Sequence, residues 1–306
     1  GGCSCCSCSP TKRLPCGSPF SFLPPTTGLR QHRPCAATCK TASVCARLGA
    51  VHPFPPPMTH SLPWLQPEQE FPPIDQTWGE RDPIPGLLAA GNTLDAARLR
   101  TAYSQGIFPW FSEGQPVLWW SPNPRMALHP EEFRLHRSLR KRLQKFRDDP
   151  GCEIRIDSAF ATVMQHCAQT PRDGQNGTWI VQSIIDAYTE LHQQGAAHSV
   201  ETWIDGQLVG GLYCVALGRA VFGESMFALQ TDASKIALSA LVALCRAHQV
   251  PQIDCQQATA HLSFMGAREI TRAQFARTVQ AQSQLPDMQW QFRPIYWEQL
   301  LSHTEA

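Results

Sequence analysis

Glu224 stands in Gly223-Glu224-Ser225-Met226-Phe227, and Asp254 and Gln256 stand in Ile253-Asp254-Cys255-Gln256; these side chains are placed to do chemistry. Val221, Phe222, Met226 and Phe227 flank Glu224, so its carboxylate points into a mostly apolar place. A buried carboxylate needs a partner, which makes this one either the mate of an internal cation or the receiver of a cationic ligand. Asp254 and Gln256 close an apolar run read as a strand over 251–255, where they would face the same side. Two polar groups on one face of a core strand form either a reaction site or a structural hydrogen-bond network.

A second group suits a polyanion. Arg134, Arg137, Arg140, Lys141, Arg142, Lys145 and Arg147 put seven positive charges into 14 residues. Arg134, Arg137, Lys141 and Lys145 recur at helical spacing and line one face, with Leu139, Leu143 and Phe146 turned inward. Such a stripe is either a solvated helix face or a seat for a phosphate backbone. Just before it lie Phe108, Trp110, Phe111, Trp119 and Trp120. Aromatic residues fill cores, but they also stack on unpaired bases. A basic stripe and aromatic residues close in sequence favour RNA over either feature alone. The motifs H-E-x-x-H, G-x-S-x-G and G-x-x-x-x-G-K-[ST] are absent, which argues against a metalloprotease, a hydrolase elbow and a P-loop.

These groups belong to one part of a divided chain. Of 306 residues, positions 1–57 hold six Lys/Arg, no Asp or Glu and eight of the 13 cysteines. The remaining 249 carry 20 basic and 25 acidic groups, a net charge of −5. Three readings of 1–57 stand side by side. Cys3, Cys5, Cys6 and Cys8 could ligate a metal, but they lack paired C-x2-C spacing. A basic, acid-free segment also suits an organelle transit peptide. The preferred reading is a disordered extension, joined upstream of Met58 and foreign to the native protein. Cys152, Cys167, Cys214, Cys245 and Cys255 are scattered and suit buried thiols in a reducing compartment. No apolar run reaches eighteen residues, so no membrane span is expected.

Hydrophobic rhythm places the candidates on elements. A short helix from Thr93, its expected N-cap, to about Ser104 turns Leu94, Ala97, Ala102 and Tyr103 inward. The segment 107–124 is broken by proline and is no regular helix. A strand at 153–157 leads to a helix opened by Asp157 or Ser158, with Phe160, Val163, Met164 and Cys167 inward. A helix at 181–194 follows, then strands at 199–204, 207–217 and 219–223. Asp205-Gly206 is a hairpin turn and Leu217-Gly218 a second. Helices at 233–248, opened by Asp232, and 271–281, capped by Thr271, flank the strand at 251–255. The class is α+β: a mainly antiparallel sheet with helices on its faces. The organisation read is an extension (1–57), a small N-terminal domain (58–148) and a larger domain (149–306).

Ordered motifs then resemble one family. They are Gly86-Leu-Leu-Ala-Ala-Gly91, Gly106-Ile-Phe-Pro-Trp-Phe111, Leu118-Trp-Trp-Ser-Pro122 with Pro124-Arg125, and Arg137-Ser-Leu-Arg140. Further on come Gly177-Thr-Trp-Ile180, His198-Ser-Val-Glu201, Gly210-Gly-Leu-Tyr213, Ala233-Ser-Lys235 and the runs around Glu224 and Asp254. In order and spacing, over about 84–275, the chain resembles the leucyl/phenylalanyl-tRNA–protein transferases. The resemblance implies a small N-terminal domain joined to one like the GCN5-type acetyltransferases. It implies transfer of leucine or phenylalanine from Leu-tRNA or Phe-tRNA to proteins with N-terminal Arg or Lys, marking them for N-end-rule degradation. It implies a cytoplasmic monomer with no metal and no cofactor.

By the same resemblance, Glu224, Asp254 and Gln256 match the reaction centre. Trp110 and Trp179 match positions that stack on the terminal adenosine. Arg137, Arg140, Lys141 and Arg142 match the face that contacts the tRNA backbone. Leu212, Val221, Met226, Leu238, Leu241 and Ile253 match the pocket for the incoming side chain. The chain departs from the family at Gly91-Asn92-Thr93, where Gly-Gly-Asp is common, and at Val221 and Leu241, which can be phenylalanine. Phe264 replaces a common serine, and Thr259 an asparagine. Two rivals remain: an acetyl-CoA-dependent acetyltransferase, whose [RQ]-x-x-G-x-[GA] phosphate loop is missing, and a non-catalytic RNA-binding protein, which has no need of Glu224, Asp254 and Gln256.

Overall fold

The computed structural model describes residues 61–170 and 180–302, so positions 1–57 and Trp179 lie outside the described residues. In chain order the regular elements are β1 (Trp64–Leu65), β2 (Leu87–Gly91), α1 (Ala96–Ser104), β3 (Phe108–Pro109), β4 (Val117–Trp120) and β5 (Arg125–Leu128). Next come α2 (Arg137–Asp148), β6 (Cys152–Ile156), α3 (Phe160–Gln169), α4 (Gln182–Gln193), β7 (Ala197–Ile204), β8 (Gln207–Leu217) and β9 (Ala220–Ala228). The last are α5 (Ala233–Ala247), β10 (Ile253–Asp254), α6 (Ala260–Phe264), β11 (Arg268–Ile270), α7 (Arg272–Gln282) and α8 (Glu298–Leu301).

Two sheets form. A small one, ordered β1-β2-β4-β3, is built wholly from residues 64–120. The larger runs β11-β5-β10-β9-β8-β7-β6. Its centre is the antiparallel meander β6 to β9, and β10 adds to β9 in parallel. The α+β class expected from the sequence is what the chain builds. β5 comes from the N-terminal part yet inserts between β10 and β11, tying the basic and aromatic segments to the later strands.

The meander forms around β8, whose side chains are apolar on both faces from Leu208 to Leu217. Asp205 and Gly206 both take left-handed φ, 50° and 73°, the pattern of a two-residue type I′ turn. Along β8 the side chains alternate between two cores. Tyr213, Val215 and Leu217 join Phe222, Phe227 and the inward faces of α1, α3, α4 and α7. Leu212, Cys214 and Ala216 join Val221, Ile253 and the helices α2 and α5. Helix α5 is buried on nearly all sides, from Ile236 through Cys245, because strands cover one flank and the C-terminal segment the other. In α2 the burial of Leu139, Leu143 and Phe146 matches the pattern read from sequence, and so does that of Phe160, Val163, Met164 and Cys167 in α3.

Local differences have local causes. Helix α1 is capped by Asp95, whose carboxylate accepts from the Arg98 N–H at 2.7 Å; Thr93 plays no part, and Ala97 faces outward. Neither Asp157 nor Ser158 caps α3. The buried Glu201 reaches across from β7 to accept from Ala159 N–H at 2.8 Å and from the Ser158 hydroxyl. Asp232 precedes α5 in a left-handed conformation and ion-pairs with Lys235 at 2.8 Å without capping the helix. Thr271 does cap α7, accepting from Gln274 N–H at 3.2 Å. The strands of the small sheet were not foreseen, because each is only two to five residues long and interrupted by proline or turns.

Gly210 is where β8 meets the start of α5. A Cβ there would stand 2.5 Å from Ala233 Cβ and 2.9 Å from the Ala233 carbonyl carbon. Gly210→Ala is expected to push α5 off the sheet and cost about 1–3 kcal/mol. Urea unfolding checks this, and an unchanged midpoint would show that α5 has room to move.

Candidate active site

Four segments distant in sequence meet at the centre of the larger sheet. β9 and β10 pair in parallel only at Val221↔Ile253 and Phe222↔Asp254, and beyond those pairs they part. At the point of parting, the ladder between β8 and β9 slips: Cys214 pairs with Gly223 and Tyr213 with Ser225, so Glu224 is an extra residue in a β-bulge. A bulge re-aims side chains. Glu224 shares the face of Phe222, which holds Tyr103 and Tyr188, and the bulge re-aims the residues that follow it.

Among the described residues the carboxylate of Glu224 meets no cation. Its Oε1 accepts from the Tyr103 hydroxyl at 2.6 Å and from Gln256 Nε2 at 3.2 Å. The Tyr103 and Tyr188 hydroxyls lie 2.5 Å apart, both residues fully buried. Glu224 as a residue is only part-buried, but its carboxyl group is closely surrounded. Burial therefore pushes its pKa from 4.5 up to about 8. The Tyr103 hydrogen bond works against that rise, the Asp254 charge adds to it and the Arg125 charge opposes it. The same burial, with the nearby carboxylate, raises the Tyr103 hydroxyl well above its ordinary value, so it stays a donor.

Asp254 does have an internal cation. Arg125 grips it at both oxygens, Nε to Oδ1 at 2.8 Å and Nη2 to Oδ2 at 2.5 Å, with both side chains almost wholly buried. The guanidinium also donates to the Gly106 carbonyl at 3.3 Å and lies over the rings of Phe108 (4.7 Å) and Phe275 (4.4 Å). The strand reading of 251–255 needs correction here. β10 ends at Asp254, and Gln256 turns to a left-handed φ of 54°. Asp254 therefore holds the backbone of Gln256, accepting from its N–H at 3.0 Å, and not its side-chain amide. That amide bridges the gap between the strands, with Nε2 donating to the Gly223 carbonyl at 2.8 Å and to Glu224. Its Oε1 has no hydrogen bond among the described residues.

The other expected residues fall into three groups. Trp110 is part-buried, with its ring edge-on to Trp120 at 5.4 Å, and its intended companion Trp179 is outside the described residues. On α2, Arg137 and Lys141 are exposed and make no ion pair among the described residues. Arg142 is exposed and 3.8 Å from Asp232. Arg140 instead turns towards the C-terminal segment, where it donates to the Leu300 and Leu301 carbonyls at 3.2 and 3.4 Å and closes the end of α8. Leu212, Val221, Leu238, Leu241 and Ile253 pack together, fully buried, with Met226 part-buried beside them. They lie on the α5 side of the sheet, opposite the Tyr103 side. A cleft of about 580 Å³ beside α2 is lined by Arg142, Lys145, Leu229 and Thr231 among others, and by none of those six.

Sequence reasoning missed Arg125, Tyr103 and Tyr188. Arg125 was visible only as part of a motif, and Tyr103 only as an apolar helix position. Their partners are 129 and 121 residues away. No group of His, Cys, Asp and Glu among the described residues is arranged to hold a metal.

Comparison with known proteins closes on one family. A model of the leucyl/phenylalanyl-tRNA protein transferases matches residues 127–280, and a model of their N-terminal domain matches 92–123. A leucyl/phenylalanyl-tRNA–protein transferase of Polaromonas sp. is 62% identical over 241 residues, 79% of this chain and 94% of that protein. One from Albidiferax ferrireducens is 59% identical over 248 residues, 81% of this chain and 96% of that protein. A solved GCN5-related N-acetyltransferase from Kribbella flavida shares 11% identity over 54% of this chain and 57% of that one, with a TM-score of 0.27, a likeness too loose to add to the fold above.

Two outcomes follow from the buried charges. Asp254→Asn leaves the Arg125 cation buried without its counter-charge, which is expected to cost about 3–5 kcal/mol in urea unfolding. A loss of rate with unchanged stability would show that Asp254 acts chiefly on the reacting groups. For Glu224, the folded protein retains a proton between pH 4.5 and about 8 that the unfolded chain releases. Its contribution is fully present below the unfolded value and lost as pH rises through the folded one, so stability falls across that window. Glu224→Gln is expected to flatten this slope, so that its urea midpoint gains on wild type from pH 5 to pH 8. Parallel midpoints would mean that the carboxyl group is ionised throughout.

Proposed function

Because this chain belongs to the leucyl/phenylalanyl-tRNA–protein transferase family and is thus an aminoacyltransferase that draws on aminoacyl-tRNA, we propose that it passes leucine or phenylalanine to the N-terminal Arg or Lys of acceptor proteins, marking them for N-end-rule degradation. The observation that carries the reading is the hydrogen-bonded group Tyr103–Glu224–Gln256, set where β9 and β10 part. It offers a proton acceptor and an amide oxygen side by side, as the aminolysis of an ester requires.

In this reaction the α-amine nitrogen attacks the ester carbonyl, the carbon–oxygen bond to the tRNA ribose breaks, and the amine proton ends on the ribose hydroxyl. An α-ammonium has a pKa of about 7.7–8. Glu224, pushed up to about 8, matches it. Proton transfer from ammonium to carboxylate is then nearly balanced in energy, which suits a general base near neutral pH. An amide is too weak a base for that step. Gln256 Oε1 instead accepts from the neutral amine and orients it, and orientation supplies much of the acceleration. Asp254 and Arg125 work behind Gln256 by holding its backbone. When an acceptor brings its cation near, the carboxylate is favoured over the acid, so acceptor binding and ionisation of Glu224 support one another.

The donor fits the remaining features. Trp110 and Trp179 are proposed to stack on the terminal adenosine. Arg137, Lys141 and Arg142 face the tRNA backbone, while Arg140 serves α8. The six apolar residues from Leu212 to Ile253 would receive the leucyl or phenylalanyl side chain by parting around the half-buried Met226.

Transfer of labelled leucine from Leu-tRNA to a peptide beginning with Arg tests the reading, and absence of transfer sinks it. Glu224→Gln then separates two roles for the carboxylate. Wild type is expected to prefer an Arg-starting acceptor to its uncharged citrulline counterpart. If Glu224 contacts the acceptor side chain, the Gln variant loses that preference, at a cost of about 2–5 kcal/mol. If Glu224 serves the α-ammonium, as its match in pKa favours, the variant slows on both acceptors and keeps the preference.

A further inference from the structure

Phe264 is 58% exposed, and it sits at the end of α6 on the segment that leads away from Gln256. One face of its ring is covered by His136, with centroids 3.8 Å apart and planes 16° from parallel. His136 Nε2 also hydrogen-bonds with the Phe264 carbonyl at 2.9 Å, and Arg134 N–H donates to the Met265 carbonyl at 3.0 Å. The pair is therefore held to the start of α2 by side chain and backbone alike, while much of the phenyl surface remains in water. A lone exposed apolar side chain is ordinary. What sets Phe264 apart is a ring fixed by stacking, with its other side open, next to a basic helix face unpaired among the described residues.

We propose that Phe264, backed by His136, is a stacking platform for an unpaired base of the tRNA acceptor strand upstream of the terminal adenosine. The occupant follows from charge. His136 immediately precedes α2, whose outer face presents Arg137, Lys141 and Lys145 with no ion pair among the described residues. A phosphate backbone running along that face delivers its bases beside Phe264. An acceptor protein with a cationic first residue is repelled by the same face. This inference rests on the reading of the chain as a tRNA-dependent transferase.

The test uses the full chain and four proteins: wild type, Phe264→Ala, Phe264→Trp and Lys141→Ala. Affinity for Leu-tRNA is measured across a salt series, beside transfer from a minimal leucyl-adenosine donor to the Arg-starting peptide. Stacking of one base is worth about 1–3 kcal/mol, so Phe264→Ala is expected to weaken Leu-tRNA about 5- to 150-fold. Its salt slope is expected to match wild type, whereas Lys141→Ala lowers the slope by about 0.7–0.9. Phe264→Trp is expected to bind as wild type does, and all Phe264 variants to use leucyl-adenosine equally well. Unchanged Leu-tRNA affinity in Phe264→Ala overturns the platform, as does a changed salt slope. A defect confined to the KM of the acceptor peptide overturns it in favour of a peptide occupant. If wild type itself fails to transfer leucine from Leu-tRNA, the reading of function falls before the platform is reached.

Discussion

The buried pair of Arg125 and Asp254 is the interaction on which the site depends. Arg125 lies on a strand contributed by the N-terminal part, and Asp254 ends a two-residue strand late in the chain. The guanidinium spends its donors on Asp254 and the Gly106 carbonyl, and its faces on Phe108 and Phe275. One side chain thus ties the aromatic segment, the central sheet and α7 together. Charges so deeply buried are tolerated only when each finds its mate. The pair therefore selects one register among the ways these short strands could meet.

From that anchor the groups of the candidate site take their places in sequence. Asp254 receives the N–H of Gln256 and stabilises its left-handed turn. The turn sends the Gln256 amide across to Gly223 and Glu224. The bulge at Glu224 meets it from the other side. Strict alternation already sets Glu224 on the face of Phe222 and Tyr103, but without the extra residue it would leave Met226 and Phe227 on the wrong faces. With it, Phe227 rejoins the core of α3 and Met226 turns to the side of Leu212 and Ile253. The bulge thus restores the two-core pattern beyond Glu224 and brings Met226 to the apolar cluster.

The protonation of Glu224 ties environment to chemistry. A carboxylate in water would be too weak a base for an ammonium. Enclosure among Tyr103, Tyr188 and the strand backbone raises its proton affinity into the range that the proposed exchange with an α-ammonium requires. The cost appears as stability lost with rising pH, the usual trade at a site whose groups are tuned away from their resting values.

By itself the sequence determined most of the long elements and the family. Periodicity placed α4, α5, β7 and β8 within a few residues, because burial of one face leaves a repeating mark along the chain, whereas β9 runs on to Ala228, five residues past the expected end. Ordered motifs identified the family, and the resemblance pointed to Glu224, Asp254 and Gln256. Only the tertiary structure decided who touches whom. The mate of Asp254 is Arg125 and not the Gln256 side chain, Arg140 closes α8, and Tyr103 is a hydrogen-bond donor to Glu224 and not merely core. The short strands from Trp64 to Leu128 were also invisible, since two to five residues carry no period. The physical reason is the same throughout. Local patterns record what each residue must bury, whereas a hydrogen bond or ion pair across more than a hundred residues depends on register, bulges and turns that no local pattern contains.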